Sequence, residues 1–381
     1  MDFQLTEDQK EIRDAARDFA ENEIAPSAIE RDIKAEFPYD IVKKMGELGF
    51  MGMMVAPEWG GAGMDTISYV LALEEISKVD ASVGVIMSVN NSLVCYGIEK
   101  WGNDFQKEKY LKPLASGEKL GAFCLSEPEA GSDATQQKTT AVVEGDYYVL
   151  NGIKNWITNG TTADYYFMQA MTDPSKGYKG ISTFIVEKAF EGVETGIKED
   201  KLGIRSSDTC TIGLNNVKVP KENLLGEEGQ GFKFAMMTLN GGRIGIAAQA
   251  VGIAMASYEA AVKYSKQRKA FDAPISNLQA IQFKLADMAV KTDAAHLLTL
   301  QAAACKDEDK SYIKEAAMAK LYASKIAVEN ALEAIQVHGG YGYVREYQVE
   351  RYLRDSKITE IYEGTSEIQR LVIARELTRE S

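Results

Sequence analysis

Histidine is scarce: the chain has only His296 and His338. A His-rich metal centre or a Ser-His-Asp triad therefore has almost nothing to draw on. Cysteine is also sparse. Cys95, Cys124, Cys210 and Cys305 lie far apart, form no CxxC pair and have no histidine at metal-ligand spacing. They read as reduced thiols filling a core. Proline is limited to 8 residues and there is no low-complexity stretch, which argues against disorder. Basic charge is short as well. The net charge of -13 gives no broad footprint for nucleic acid, although a local basic pocket for phosphates stays open. No Walker loop, zinc signature or Rossmann fingerprint is present. Nor is there a signal-type apolar core: the start reads MDFQLTEDQK, and Ile244 to Ala256, interrupted by Gln249, is too short to span a bilayer. The expected compartment is a bacterial cytoplasm, or the mitochondrial matrix if a presequence has been removed.

What is present is ordinary for a folded protein: 381 residues, 45% hydrophobic and 26% charged. At roughly 100–200 residues per domain, two or three domains are expected. Thr6 and Gln9 fit a capping box, and Ile12, Ala15, Ala16, Phe19 and Ala20 follow at helical spacing, with Pro26 as the expected stop. Helical patterns run on to about residue 118, broken by the loop Trp59-Gly60-Gly61-Ala62-Gly63. From about residue 120 the texture becomes β. Thr140–Val143 and Tyr147–Leu150 flank Glu144-Gly145-Asp146 as a hairpin, and residues 165–170, 183–186 and 210–214 are further strands. From about Gly229 the helical period returns, with Leu278, Ile281, Leu285 and Met288 and then Ile313, Ala316, Ala317 and Leu321. Long helices with little proline suggest a four-helix bundle. The expected domains are 1–118 (helical), 119–228 (β) and 229–381 (helical bundle).

Four segments could carry chemistry, each with a plain alternative. In Ile361–Gln369, Ser366 with Gln369 fits a capping box, which leaves Glu363 and Gly364 on the loop before a helix. Taken alone, Glu363 reads as a solvated carboxylate. In an apolar cleft it would become a general base, because desolvation raises its pKa. Phe123–Asp133 can bring backbone N–H groups to a ring or a phosphate, or can be an ordinary turn. Trp156, in Asn155–Gly160, reads as core rather than as a cofactor wall. In Gln336–Gly342 the glycines read as a helix C-cap, and His338 as either a structural or a catalytic residue.

Together, in order and with this spacing, the four segments resemble the acyl-CoA dehydrogenase family over essentially the whole chain. That resemblance implies an α+β fold: an N-terminal helical domain, a middle β-barrel-like domain and a C-terminal four-helix bundle. It implies FAD, a homotetramer, and α,β-dehydrogenation of an acyl-CoA with electrons passed to an electron-transferring flavoprotein. It places Phe123, Leu125, Ser126 and Ser132 along the flavin, with Trp156, Ile157 and Thr158 beside its ring. Arg268, Phe271 and Gln279 would reach the pyrophosphate and adenosine of a neighbouring subunit's FAD. Gln336, Gly339 and Gly340 would lie on the adenosine side, and Thr365 and Glu367 would flank the nucleotide. Ser132, Asn240, Arg243, Gly364 and Arg375 match acyl-CoA contacts. Glu363 matches the catalytic base, taking the α-proton while a hydride leaves for flavin N5. Some branches carry the base just before Arg243, where this chain has Gly242. Asn240 stands where many relatives have Asp, Asp272 where Gly is common, and Glu129 where Gly is frequent. Met87–Leu93 and Leu239–Ile246 look most like the short-chain, butyryl-CoA branch. The alternatives are an acyl-CoA oxidase, a branched-chain or glutaryl-type dehydrogenase, and a non-catalytic acyl-CoA-binding member.

Overall fold

The computed structural model describes residues 4–378. The expected outer limits at residues 1 and 381 lie outside the described residues. The Thr6 capping box forms: Thr6 Oγ1 accepts the Gln9 N–H and Gln9 Oε1 accepts the Thr6 N–H. It opens α1 (Glu7–Phe19). Pro26 does not end this helical run. A π-helical segment, Ala20–Ile24, intervenes, and Pro26 then sits in the first turn of α2 (Ala25–Lys34), where its missing N–H costs nothing. The first helical region continues through α3 (Tyr39–Glu47), α4 (Thr66–Val79), α5 (Ala81–Ser88), α6 (Tyr96–Trp101), α7 (Asp104–Gln106) and α8 (Lys112–Ala115). Gly60 and Gly63 form the expected loop, both at positive φ.

The middle region holds β1 (Gly121–Cys124), β2 (Thr140–Glu144), β3 (Tyr147–Thr158), β4 (Tyr165–Met171), β5 (Ile181–Glu187), β6 (Val193–Thr195), β7 (Thr209–Pro220) and β8 (Leu224–Leu225). The β2–β3 hairpin turns at Gly145-Asp146 as expected. The strand order is β6-β7-β3-β2-β4-β5-β8, with β1 on β4. This is an open, mixed sheet and not a closed barrel. Two antiparallel blocks meet through one parallel pair, Thr140 with Met171, and no pairing joins β6 to β8.

The last region holds α9 (Gly231–Gln267), a short hairpin of β9 (Lys269–Ala270) and β10 (Ala273–Pro274), α10 (Gln279–Asp307), α11 (Ile313–His338), α12 (Val349–Ile358) and α13 (Ser366–Thr378). One apolar core runs through both helical regions, from Phe19 and Val70 to Val251 and Ala323. A second lies inside the sheet, around Tyr166, Phe184 and Ile212. Contrary to the sequence reading, two stretches, Ala81–Trp101 and Gly231–Gln267, are long and apolar enough to cross a membrane. Their apolar windows are 94% and 78% buried inside the fold, so they are core helices. Cys95, Cys124 and Cys210 are buried free thiols, and Cys305 is half-buried.

Candidate functional site

The site begins with a turn that departs from ordinary backbone geometry. Glu363 has φ 53° and Gly364 has φ 97°. Glycine tolerates this region, whereas a glutamate there is uncommon. The turn lies between α12 and α13 and is tied at both ends. The Ser366 N–H donates to the Glu360 carbonyl at 2.9 Å. Thr365, not Ser366, caps α13: its Oγ1 accepts the Ile368 N–H at 3.3 Å. Ser366 is already the first helical residue, so the sequence reading of the cap was one position late.

Glu363 is half-buried, with one carboxylate oxygen turned inward. Its Oε2 is shut away from solvent and has no hydrogen-bond partner. Burial pushes the group up to about 7, against the pull of Lys320 and then Arg243. The enclosure comes from several elements. On α9, Gly242 lies so close that a Cβ there would stand 2.1 Å from Glu363 Oε2 and 2.7 Å from Leu93 Cδ2. Leu93 belongs to a buried π-helical segment, Val89–Cys95. That segment is pinned by two buried asparagines. Asn90 Nδ2 donates to the Met51 carbonyl at 2.8 Å and to the Leu114 carbonyl at 3.0 Å, while Asn90 Oδ1 accepts the Gly121 N–H. Asn91 Oδ1 accepts the Met53 N–H at 2.7 Å. Tyr362 donates its hydroxyl to the buried Gln249.

Arg243 and Asn240 share this corner. Arg243 Nη1 donates to Asn240 Oδ1 at 2.7 Å, which gives Asn240 its partner. Burial pushes the Arg243 guanidinium down to about 10, against Glu363, with Arg375 pushing the same way as burial. Its Nε is buried without a partner. Arg243 is thus a cation with a free, inward donor, suited to an anionic or carbonyl oxygen.

A second face carries exposed aromatic rings. β3 loses register with β7 between Lys154 and Ile157, a bulge that re-aims the chain. Trp156 there has φ 60° and is 63% exposed, so it is not the core residue its strand position suggests. The bulge packs beside the end of β1, where the Asn155 N–H donates to the Ser126 carbonyl at 2.8 Å. Phe123, Leu125, Ser126, Trp156 and Thr158 therefore lie on adjoining backbone. Ile157 sends its side chain into the sheet core and can contribute only main-chain groups. Ser132 is exposed on the loop that follows.

A cleft of about 610 Å³ is lined by Tyr264, Arg268, His338, Gly339, Gly340 and Tyr341, among others. The Arg268 guanidinium lies 5.7 Å from the centre of the Tyr341 ring. Gln336 sits in the last turn of α11, where its carbonyl accepts the Gly339 N–H, and Gly339 has φ 61°. His338 is structural: Nδ1 pairs with the Ala334 carbonyl at 2.7 Å and the ring stacks on Tyr264. Burial holds it below the usual imidazole value. Phe271, 87% exposed, and Asp272 are both at positive φ at the tip of the β9–β10 hairpin. The backbone shape that a glycine would give at 272 is thus kept by Asp. Gln279 opens α10 on the surface, and Glu367 lies exposed in the first turn of α13. Aromatic walls, a stacked guanidinium and a glycine-rich helix end are the groups a flavin dinucleotide needs, so these residues fit one. Among the described residues, no group of acidic, Cys or His side chains could hold a metal ion.

Sequence reasoning missed Lys320, Gln369 and the buried pair of Lys154 with Glu127, 2.8 Å apart beneath the Ser126 loop. Lys320 had a signal. It sits among Ala316, Ala317, Ala323, Ser324 and Ala327, on the helix face that is otherwise small and buried.

Comparison with known proteins agrees with this geometry. Residues 6–118, 122–217 and 229–378 match the acyl-CoA dehydrogenase N-terminal, middle and C-terminal domains. A short-chain specific acyl-CoA dehydrogenase of Clostridium acetobutylicum is 50% identical over 100% of both chains. The mitochondrial short-chain specific acyl-CoA dehydrogenase of Rattus norvegicus is 54% identical over 99% of this chain and 91% of its own. Butyryl-CoA dehydrogenase from Megasphaera elsdenii superposes with a TM-score of 0.98 at 49% identity, covering 100% of both chains. With all three domains matched in order and half the residues identical over the full length, this chain belongs to the acyl-CoA dehydrogenase family.

Proposed function

We propose that this enzyme uses FAD to form the α,β double bond of short-chain acyl-CoA thioesters of butyryl-CoA size, with Glu363 as the base. The observation that carries the reading is the shielded Glu363 carboxylate, raised to about 7 by burial. A base poised near neutral pH combines an available carboxylate with real proton affinity.

Bound FAD supplies the hydride acceptor for the β-carbon. The protein does the rest. Glu363 removes the α-proton in a corner walled by Gly242, Leu93 and the Tyr362–Gln249 pair, with its inward oxygen withdrawn from solvent. The Glu363 main-chain N–H has no acceptor among the described residues, so it is free for the thioester oxygen as charge develops there. Arg243, held by Asn240, and Arg375 supply positive charge for acyl-CoA, and Ser132 a hydroxyl. Phe123, Leu125, Ser126, Trp156, Ile157 and Thr158 would line the flavin. Arg268, Phe271 and Gln279 would reach the pyrophosphate and adenosine of a neighbouring subunit's FAD, Gln336, Gly339 and Gly340 would lie on the adenosine side, and Thr365 and Glu367 would flank the nucleotide.

The homotetramer belongs to the same proposal. Phe283, Val290 and Leu297 leave an exposed apolar row on α10, and Phe271 projects from its hairpin. An electron-transferring flavoprotein is the proposed acceptor. A structure from Acidaminococcus fermentans described as an electron transferring flavoprotein matches at TM-score 0.99 and 52% identity over the whole of both chains. Relatives from bacteria and from mitochondria make the cytoplasm or the mitochondrial matrix the proposed compartment.

The test is turnover of the FAD-loaded protein on straight-chain acyl-CoAs from C4 to C12 with an artificial acceptor. Highest kcat/KM at C4 supports the reading; no turnover on any of them rejects it. A second reading, enoyl reduction, is favoured by a 3-(aryl)acrylate reductase of Clostridium sporogenes, 52% identical over 98% of this chain. Reduction of a short enoyl-CoA or an arylacrylate by the dithionite-reduced protein, faster than the forward rate, would favour it.

A further inference from the structure

A fully buried lysine needs a reason, because desolvation works against its charge. Lys320, on α11, is 0% exposed. Its Nζ donates to the Gly364 carbonyl at 2.7 Å. The same carbonyl accepts Gln369 Nε2 at 2.8 Å, and that amide also reaches the Glu363 carbonyl at 3.4 Å. Two helices, α11 and α13, thus each place a donor on the turn that holds two successive residues at positive φ. One residue-turn further along α11, the Ser324 hydroxyl donates to the Thr359 carbonyl at 2.8 Å and fixes the approach to the same loop.

We propose that Lys320 is a positioning residue for proton abstraction: it clamps the Gly364 carbonyl, fixes the turn that presents Glu363, and sets a cation beside the base. This rests on Glu363 being the base. Lys320 makes no ion pair among the described residues: its Nζ sits on the Gly364 carbonyl and Glu363 Oε2 has no hydrogen-bond partner, so its charge acts through space. The groups facing Glu363 are Lys320 from α11, Arg243 from α9, Tyr69 from α4 and the adjoining Tyr362. Lys320 in turn faces Glu363, Arg243, Glu360 and Glu367. Burial brings Lys320 down to about 8, so the ammonium persists at neutral pH. Arg243 is already engaged by Asn240, and Lys320 is the stronger of the two cations in holding down the proton affinity of Glu363.

Two substitutions separate clamp from charge. Lys320→Met removes both; Lys320→Gln removes the charge and keeps a donor for Gly364. Each is compared with wild type and Glu363→Gln as FAD-loaded protein, using butyryl-CoA and an artificial acceptor from pH 5.5 to 9. Both Lys320 variants are expected to move the acid limb of kcat/KM upward by about one pH unit, since an opposite charge nearby lowers a carboxyl pKa. Lys320→Met is expected to lose a further tenfold or so in plateau kcat, as a displaced base does. Lys320→Gln should stay within a few-fold, with flavin content and KM unchanged in both. An acid limb that stays in place in both flavin-loaded variants overturns the inference, even if Tm falls. Full turnover by Glu363→Gln would instead overturn the base assignment. If neither variant folds, Lys320→Arg decides: retained charge should leave the limb in place and lower the plateau, and a shifted limb refutes the proposal.

Discussion

The Glu363 corner and the two exposed rings of Trp156 and Phe271 use opposite physics. In the first, a carboxylate is surrounded by packed helices and its unusual backbone is tied down by Lys320 and Gln369. In the second, large aromatic side chains stand in solvent on equally unusual backbone, with Trp156 at φ 60° and Phe271 at φ 52°. The first corner is built from packed side chains of a single chain, whereas the second pair presents its rings to solvent. Exposed aromatics on strained backbone contribute little to folding, which is why a role in binding, to FAD or to a second subunit, is proposed for them. The contrast separates a corner whose geometry is set by folding from rings whose setting folding leaves open.

The largest expected effect comes from removing the proposed base. Glu363→Gln should keep FAD and acyl-CoA binding but lose roughly 10³-fold or more in turnover, in the range of general-base contributions. Normal rates on butyryl-CoA would break the comparison at its first term. Gly242→Ala comes next. Its methyl would be 2.1 Å from Glu363 Oε2, so the base must shift. A loss of about 100-fold in kcat is expected in a folded protein, because a displacement of about 1 Å costs that much. An unaffected kcat would show that the corner is not tightly set.

At the exposed β3 bulge, Trp156→Gly should relieve backbone strain and leave the apo-protein at least as stable, while FAD retention falls several-fold if the proposed flavin contact is made there. Equilibrium dialysis and thermal melts with and without FAD would check this. A large drop in apo-protein Tm would instead make Trp156 a structural residue.

The smallest effect is on stability against pH. Glu363 is raised from 4.5 to about 7 on folding. The folded state then binds its proton more tightly than the unfolded state, so stability is full below 4.5 and declines as pH rises to about 7. Asp355, pushed up to about 7 by burial, adds a contribution of the same sign. Glu363→Gln should therefore melt higher than wild type at pH 8, with the gap closing towards pH 4.5. An equal gap at both ends would remove burial as the cause.

How legible was this in the sequence? The order of helical, β and helical regions was, because period and turn chemistry are local. The Thr6 box and the Gly145 hairpin followed from a few adjacent residues. Pro26 misled because proline is as welcome in a first helical turn as it is hostile later. Trp156 read as core because strand alternation assumes an unbroken register, and the bulge at residues 154–157 breaks it. Glu363 read as solvated because its shielding is supplied from residues 93, 242 and 320, far away in the chain. Only the family resemblance pointed to it, and burial is invisible to composition.

The missing side chain at position 242 also bears on how such enzymes diversify. Two carboxylates cannot share that space, since even one extra carbon collides with the first. A carboxylate placed on the neighbouring helix at 242 would require the one at 363 to withdraw, so the two positions are alternatives and cannot work side by side.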